Sequence, residues 1–161
     1  TFVKSPVLGV TGDGKIRPFI PAMKLTIDKS GFTGKKEKLI RQNLFAPSFS
    51  HTITRKGRGC ASCHKSSYSL GFGEGRIFLK NKFWEFTSEY RKEKGLPQDA
   101  WIKPFQEKYD PGDHSIRKDN RPLDKSEQIR ILEVGKCLDC HTGNEKFFLD
   151  FTKNKNYSHI K

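Results

Sequence analysis

The segment Cys60-Ala61-Ser62-Cys63-His64 returns 77 positions later as Cys137-Leu138-Asp139-Cys140-His141, and the two copies use all four cysteines of the chain. Two thiols spaced by two residues, with a histidine directly after the second, form the attachment pattern of a c-type haem. The order follows from the chemistry. On one tight turn the thiols add across two vinyl groups of a porphyrin, and the adjacent imidazole reaches the iron from the proximal side. With 5 histidines in 161 residues, composition alone puts a histidine after both CxxC pairs in about 0.1% of cases.

Other uses of paired cysteines fit less well. Four thiolates can cage a structural zinc ion, but zinc ribbons place their pairs some 15–20 residues apart, and a four-cysteine cage leaves both histidines unexplained. A thioredoxin-type CxxC calls for a βαβ pattern that neither motif has around it. Two disulfides again leave the histidines without a role.

Only 34% of the chain is apolar, which implies a thin core for a single domain of this length. Two porphyrins would change that balance, because each offers a broad apolar face to the 13 Phe, 4 Tyr and 2 Trp. The expected fold is therefore mainly irregular and α-helical, with a small N-terminal β hairpin or meander and a core built around two covalently attached haems. The expected organisation is a single domain, residues 1–161, with a β-rich part over 1–45 and a haem-binding part over 46–161.

The charge is strongly basic, +13 from 31 Lys+Arg against 18 Asp+Glu, and is spread along the chain. Four haem propionates would lower this to about +9. A diffusely basic, lysine-rich surface suits steering toward an acidic docking surface on another redox protein or cytochrome subunit. Nucleic acid, the other usual partner of a basic domain, is not expected, since helix-turn-helix, zinc-finger and Arg-rich patterns are missing. No run of 18 apolar residues marks a membrane span.

Along the chain, Val7–Val10, the Gly12-Asp13-Gly14 turn, Ile16–Pro21 and the alternating Met23, Leu25 and Ile27 read as short strands. The Gly-rich stretch 66–75, with Tyr68, Leu70 and Phe72 alternating, is expected to wrap the first haem closely. Ile77–Tyr90 reads as an amphipathic helix, and residues 95–122 as an ordered connection between two haem sites. Asp124-Lys125-Ser126-Glu127 is a capping box opening a helix that Gly135 closes and that leads into Cys137. Phe147–Phe151 are expected to pack on the second haem.

Two six-coordinate irons need four axial ligands. His64 and His141 supply the proximal pair. The distal candidates are His51, nine positions before Cys60, His114 in a Pro-Gly turn, His159 near the end, and Met23, the only methionine. Three histidines against one methionine favour bis-histidine ligation, which sets lower potentials than His/Met ligation and leaves no open site on the iron.

The stretches HTITRKGRGCASCHKSSYSLGFGEG, residues 51–75, and RPLDKSEQIRILEVGKCLDCH, residues 121–141, resemble consecutive haem-binding segments of the large periplasmic or extracellular multihaem c-type cytochromes. The resemblance covers under a third of the chain, and the CxxCH pair is its specific part. The GDGKIRPFIPA stretch is similar to non-haem spacers in such proteins. What the resemblance implies is two haem c groups, an upstream distal histidine and electron relay through closely spaced haems. Two haems in 161 residues is sparse for that family, which points to a small dihaem cytochrome or one subunit or oligomeric component of a larger assembly.

Haem attachment to CxxCH takes place outside the bacterial cytoplasm, and the chain opens with Thr and lacks an apolar leader. A processed, exported chain, periplasmic or extracellular, is the expectation. The alternative to an electron carrier is a dihaem peroxidase-like or thiosulfate-oxidising enzyme with one open iron site, for which Glu74 and Glu85 are the acid–base candidates near the first motif.

Overall fold

The computed structural model describes residues 6–27, 31, 34, 40–48, 58–90, 96, 99–107 and 115–141. Strands β1 (Val7–Val10), β2 (Ile16–Ile27) and β3 (Ile40–Pro47) are followed by the single-turn helix α1 (Ala61–His64). The hairpin strands β4 (Gly75–Lys80) and β5 (Phe83–Ser88) come next, then the short β6 (Arg121–Pro122) and helix α2 (Lys125–Cys137).

Strands β1 and β2 pair antiparallel, Val7 opposite Phe19 and Val10 opposite Ile16. The turn between them is closed by Asp13, whose carboxylate accepts from the Thr11 hydroxyl and, at 3.1 Å, from Arg17. Those two hydrogen bonds hold the Asp13 carboxyl well below the usual carboxylate range. Strand β3 adds to the outer edge of β2, with an irregularity between Pro21 and Met23, and β6 adds to β1. The result is a four-stranded sheet ordered β3-β2-β1-β6.

The sheet buries its inner side on Trp101. The indole stacks on Phe45 with ring centroids 4.6 Å apart and lies 5.0 Å from Phe19, and all three side chains are fully buried. Trp101 has no regular structure to hold it. Its backbone N–H and that of Ile102 both donate to the Gly71 carbonyl, at 2.8 and 3.1 Å, and Asn43 donates to the Ala100 carbonyl at 2.7 Å. Gly9 is required at its position in β1, since a Cβ there would stand 2.7 Å from the indole.

Strands β4 and β5 form a separate two-stranded sheet, joined by the two-residue turn Asn81-Lys82 with both residues at positive φ, 50° and 68°. This is the geometry whose twist matches that of the flanking strands. Phe72 ties the hairpin to the main core, its ring 5.5 Å from Phe86 and 5.1 Å from Phe105.

Helix α2 begins with the expected capping box: the Asp124 carboxylate accepts from the Glu127 N–H, and the Glu127 carboxylate accepts from the Asp124 N–H, both at 2.9 Å. Arg121 grips the same Glu127 through both guanidinium nitrogens, at 2.8 and 2.9 Å. The buried Gln128 bridges the Leu123 carbonyl and the Phe105 N–H. Leu132 enters the core.

These findings overturn the expected fold class. The chain is mostly β, in two sheets, and its core is its own: Val7, Val10, Phe19, Phe45, Leu70, Phe72, Trp101, Ile102, Leu123 and Leu132 pack together. Three local readings change with it. The stretch Ile77–Tyr90 expected as a helix falls instead in the β4–β5 hairpin, because Asn81 and Lys82 at positive φ turn the chain back so that Ile77 pairs with Phe86 and Lys80 with Phe83. Leu70 and Phe72 face the protein core, where a haem had been expected. Gly135 lies inside α2, which continues through Cys137. Among the described residues no helix is long and apolar enough to cross a membrane.

Candidate functional site

Each CxxCH motif folds as a single helical turn with the same hydrogen bonds. In the first, the N–H groups of Cys63 and His64 donate to the Cys60 carbonyl at 3.2 and 3.0 Å. In the second, those of Cys140 and His141 donate to the Cys137 carbonyl at 3.2 and 2.9 Å. Residues three apart on such a turn are neighbours on one face, so each turn presents its two thiols together with a histidine one step on. The cysteines are exposed or half-buried and form no disulfide.

The two turns lie side by side. Three residues four positions apart along α2 and its continuation share one helix face, and all three meet the first motif. The Ile131 carbonyl is 2.9 Å from His64 Nδ1. A Cβ on Gly135 would clash with the His64 carbonyl oxygen, so glycine alone permits the approach. Asp139, between Cys137 and Cys140, pairs with Lys65, the residue after His64.

The Ile131 contact also fixes the imidazole. A carbonyl oxygen can only accept, so Nδ1 carries the proton and Nε2 keeps its lone pair for a metal. That is how a metal-ligating histidine is ordinarily held, its second nitrogen donating to a carbonyl or carboxylate. The residues at the first motif therefore fit a haem iron bound through His64 Nε2.

A cleft of about 430 Å³ runs between the β4–β5 hairpin and α2, bordered by His64 and lined by apolar groups of Ile77, Leu79, Trp84 and Leu132. Its rim is fixed by Glu133, which accepts from Trp84 Nε1 at 3.1 Å and from Lys136 at 2.7 and 2.8 Å. The Lys136 ammonium stands 5.3 Å from the Trp84 ring centre. Partial burial pushes the Glu133 carboxyl up, but the hydrogen bonds from Lys136 and Trp84 outweigh it and hold the group below its usual range.

The structure brings the two attachment turns side by side, the first carrying Cys60, Cys63 and His64 and the second Cys137, Cys140 and His141, through contacts of His64 and Lys65 with Ile131, Gly135 and Asp139. His51, His114 and His159 lie outside the described residues. Met23 stands on β2 opposite Leu44, 49% exposed and away from the cleft lining. Glu74 and Glu85 are exposed at the hairpin and do not line the cleft. Among the described residues no three His, Cys, Asp or Glu side chains gather into one cluster. Ile131, Gly135, Lys65 and Asp139 escape the sequence reading. Their signal is the four-residue spacing of Ile131, Gly135 and Asp139, together with the opposite charges of Lys65 after the first motif and Asp139 within the second. No family model matches the chain, and neither a curated protein nor a solved structure matches it.

Proposed function

We propose that this protein is an electron carrier with two covalently bound haems, one on Cys60 and Cys63 with His64 at the iron, the other on Cys137 and Cys140 with His141. It serves as a relay or as a subunit of a larger periplasmic or extracellular redox assembly. When bound, haem supplies reversible one-electron chemistry at its iron. The chain supplies the rest. The paired thiols fix the porphyrin, the imidazoles ligate, and the α1–α2 contact keeps the two attachment turns adjacent, which suits transfer between closely spaced centres.

The observation that carries this reading is the shared construction of the two turns and their juxtaposition in space, although they begin 77 positions apart in sequence. The His64 Nδ1 contact with Ile131 adds to it. Distal ligation is assigned to two of His51, His114 and His159, in preference to Met23, which gives bis-histidine coordination at both irons. The basic surface directs the protein to acidic patches on its redox partners.

Intact-mass spectrometry of the chain, produced together with a bacterial haem-attachment machinery, tests the proposal. The expected mass is that of the polypeptide plus two haems, falling to one haem in the variant carrying Cys60→Ser and Cys63→Ser. A bare polypeptide mass would overturn it. Bis-histidine irons leave the visible spectrum unchanged under CO, whereas an open enzymatic iron would shift it.

A further inference from the structure

The joint between the two motifs has a consequence for the first iron. Its tightest point is Gly135, where the α2 backbone lies against the His64 carbonyl with no room for a Cβ. One turn earlier on the same face, the Ile131 carbonyl holds His64 Nδ1 at 2.9 Å. These two contacts come from one rigid helix, itself locked at its start by the Asp124/Glu127 capping box and the Arg121 fork. The helix ends by becoming the second CxxCH turn. The proximal histidine of one motif is thus oriented by the helix that carries the other.

Resting on the dihaem reading, we infer that Gly135 is a positioning residue that sets the reduction potential of the haem on His64, through the Ile131 carbonyl. A hydrogen bond accepted from Nδ1–H makes the imidazole a stronger donor to its metal. Stronger donation favours the ferric state and lowers the potential, a lever that acts on one haem without touching the other. In Gly135→Ala the new methyl pushes the His64 carbonyl and α2 apart. The Ile131–His64 hydrogen bond then lengthens while both CxxCH turns keep their own internal bonds.

The test uses the holoprotein. Haem content comes first: two haems per chain in the wild type is the condition of the dihaem reading, and failure at that step counts against that reading alone. Spectroelectrochemical titration of wild type and Gly135→Ala follows. The expected result is an upward shift of one of the two potentials with the other unmoved. Two unchanged potentials, or an equal shift of both, would overturn the role given to Gly135. A second measurement needs no variant. In the wild-type ferric holoprotein, the His64 Nδ1 proton should exchange with solvent many times more slowly than that of an exposed imidazole, and fast exchange would contradict the inference.

Discussion

Lys65 and Asp139 form an ion pair across the two cysteine motifs, the lysine directly after His64 and the aspartate between Cys137 and Cys140. The lysine is 38% exposed and the aspartate 70% exposed. Exposed pairs of this kind contribute about 0.2–1 kcal/mol and weaken with salt. A double-mutant cycle of Lys65→Met and Asp139→Asn should therefore return a coupling of about 0.5 kcal/mol that shrinks at high ionic strength. The adjacency of the two turns rests on the Gly135 approach and on Leu132 in the core, so both single variants should retain the fold by circular dichroism.

Trp101 is the centre of the sheet's core, stacked on Phe45 and tilted against Phe19. Truncating a large buried aromatic costs about 3–5 kcal/mol. Trp101→Ala should lower the unfolding free energy by that much, and Gly9→Ala, which drives a methyl into the same indole, by about 1–3 kcal/mol. Urea unfolding followed by far-ultraviolet circular dichroism measures both.

Partial burial raises the Asp124 carboxyl, but hydrogen bonds from the Ser126 hydroxyl and the Glu127 N–H more than offset it, leaving the group below its usual range. A carboxyl whose folded pKa is depressed stabilises the fold above its unfolded pKa, about 3.9, and loses that contribution as pH falls through the lower folded value. Asp124→Ala should thus cost about 1 kcal/mol at pH 7. The gap from wild type should close below about pH 4, as read from unfolding curves along a pH series.

Lys82 occupies the left-handed region, with φ 68°, at the second position of the hairpin turn. A side chain there costs about 1–2 kcal/mol, offset in part by the greater freedom glycine has in the unfolded chain. Lys82→Gly should stabilise the protein by about 0.5 kcal/mol. Moving the glycine to Lys80, a strand position paired with Phe83, should destabilise it.

The two CxxCH segments, the first hairpin and the α2 capping box were legible in the sequence because each rests on local chemistry: fixed spacing, a Gly-Asp-Gly turn, an N-cap residue with its N3 partner. The β4–β5 hairpin was hidden because Asn81-Lys82 lacks the glycine that usually announces such a turn, and its aromatic residues imitate a helix face. Trp101 sits among Pro, Gly and Lys in a stretch that reads as a connection. Its place as core centre depends on Phe19, Phe45 and Gly71, all distant in sequence. Polar composition likewise suggested that porphyrins must supply the core, whereas a few large aromatics suffice to form one. Gly135 reads as a helix terminator by position, and only the neighbouring His64 carbonyl reveals it as a contact.

The most direct test of the dihaem account is the pyridine haemochrome spectrum of the purified protein set against its polypeptide concentration. The account predicts a c-type spectrum with two haems per chain, one haem when Cys60 and Cys63 are replaced by serine, and none when all four cysteines are. A colourless protein from cells that attach haem to other CxxCH chains would contradict it.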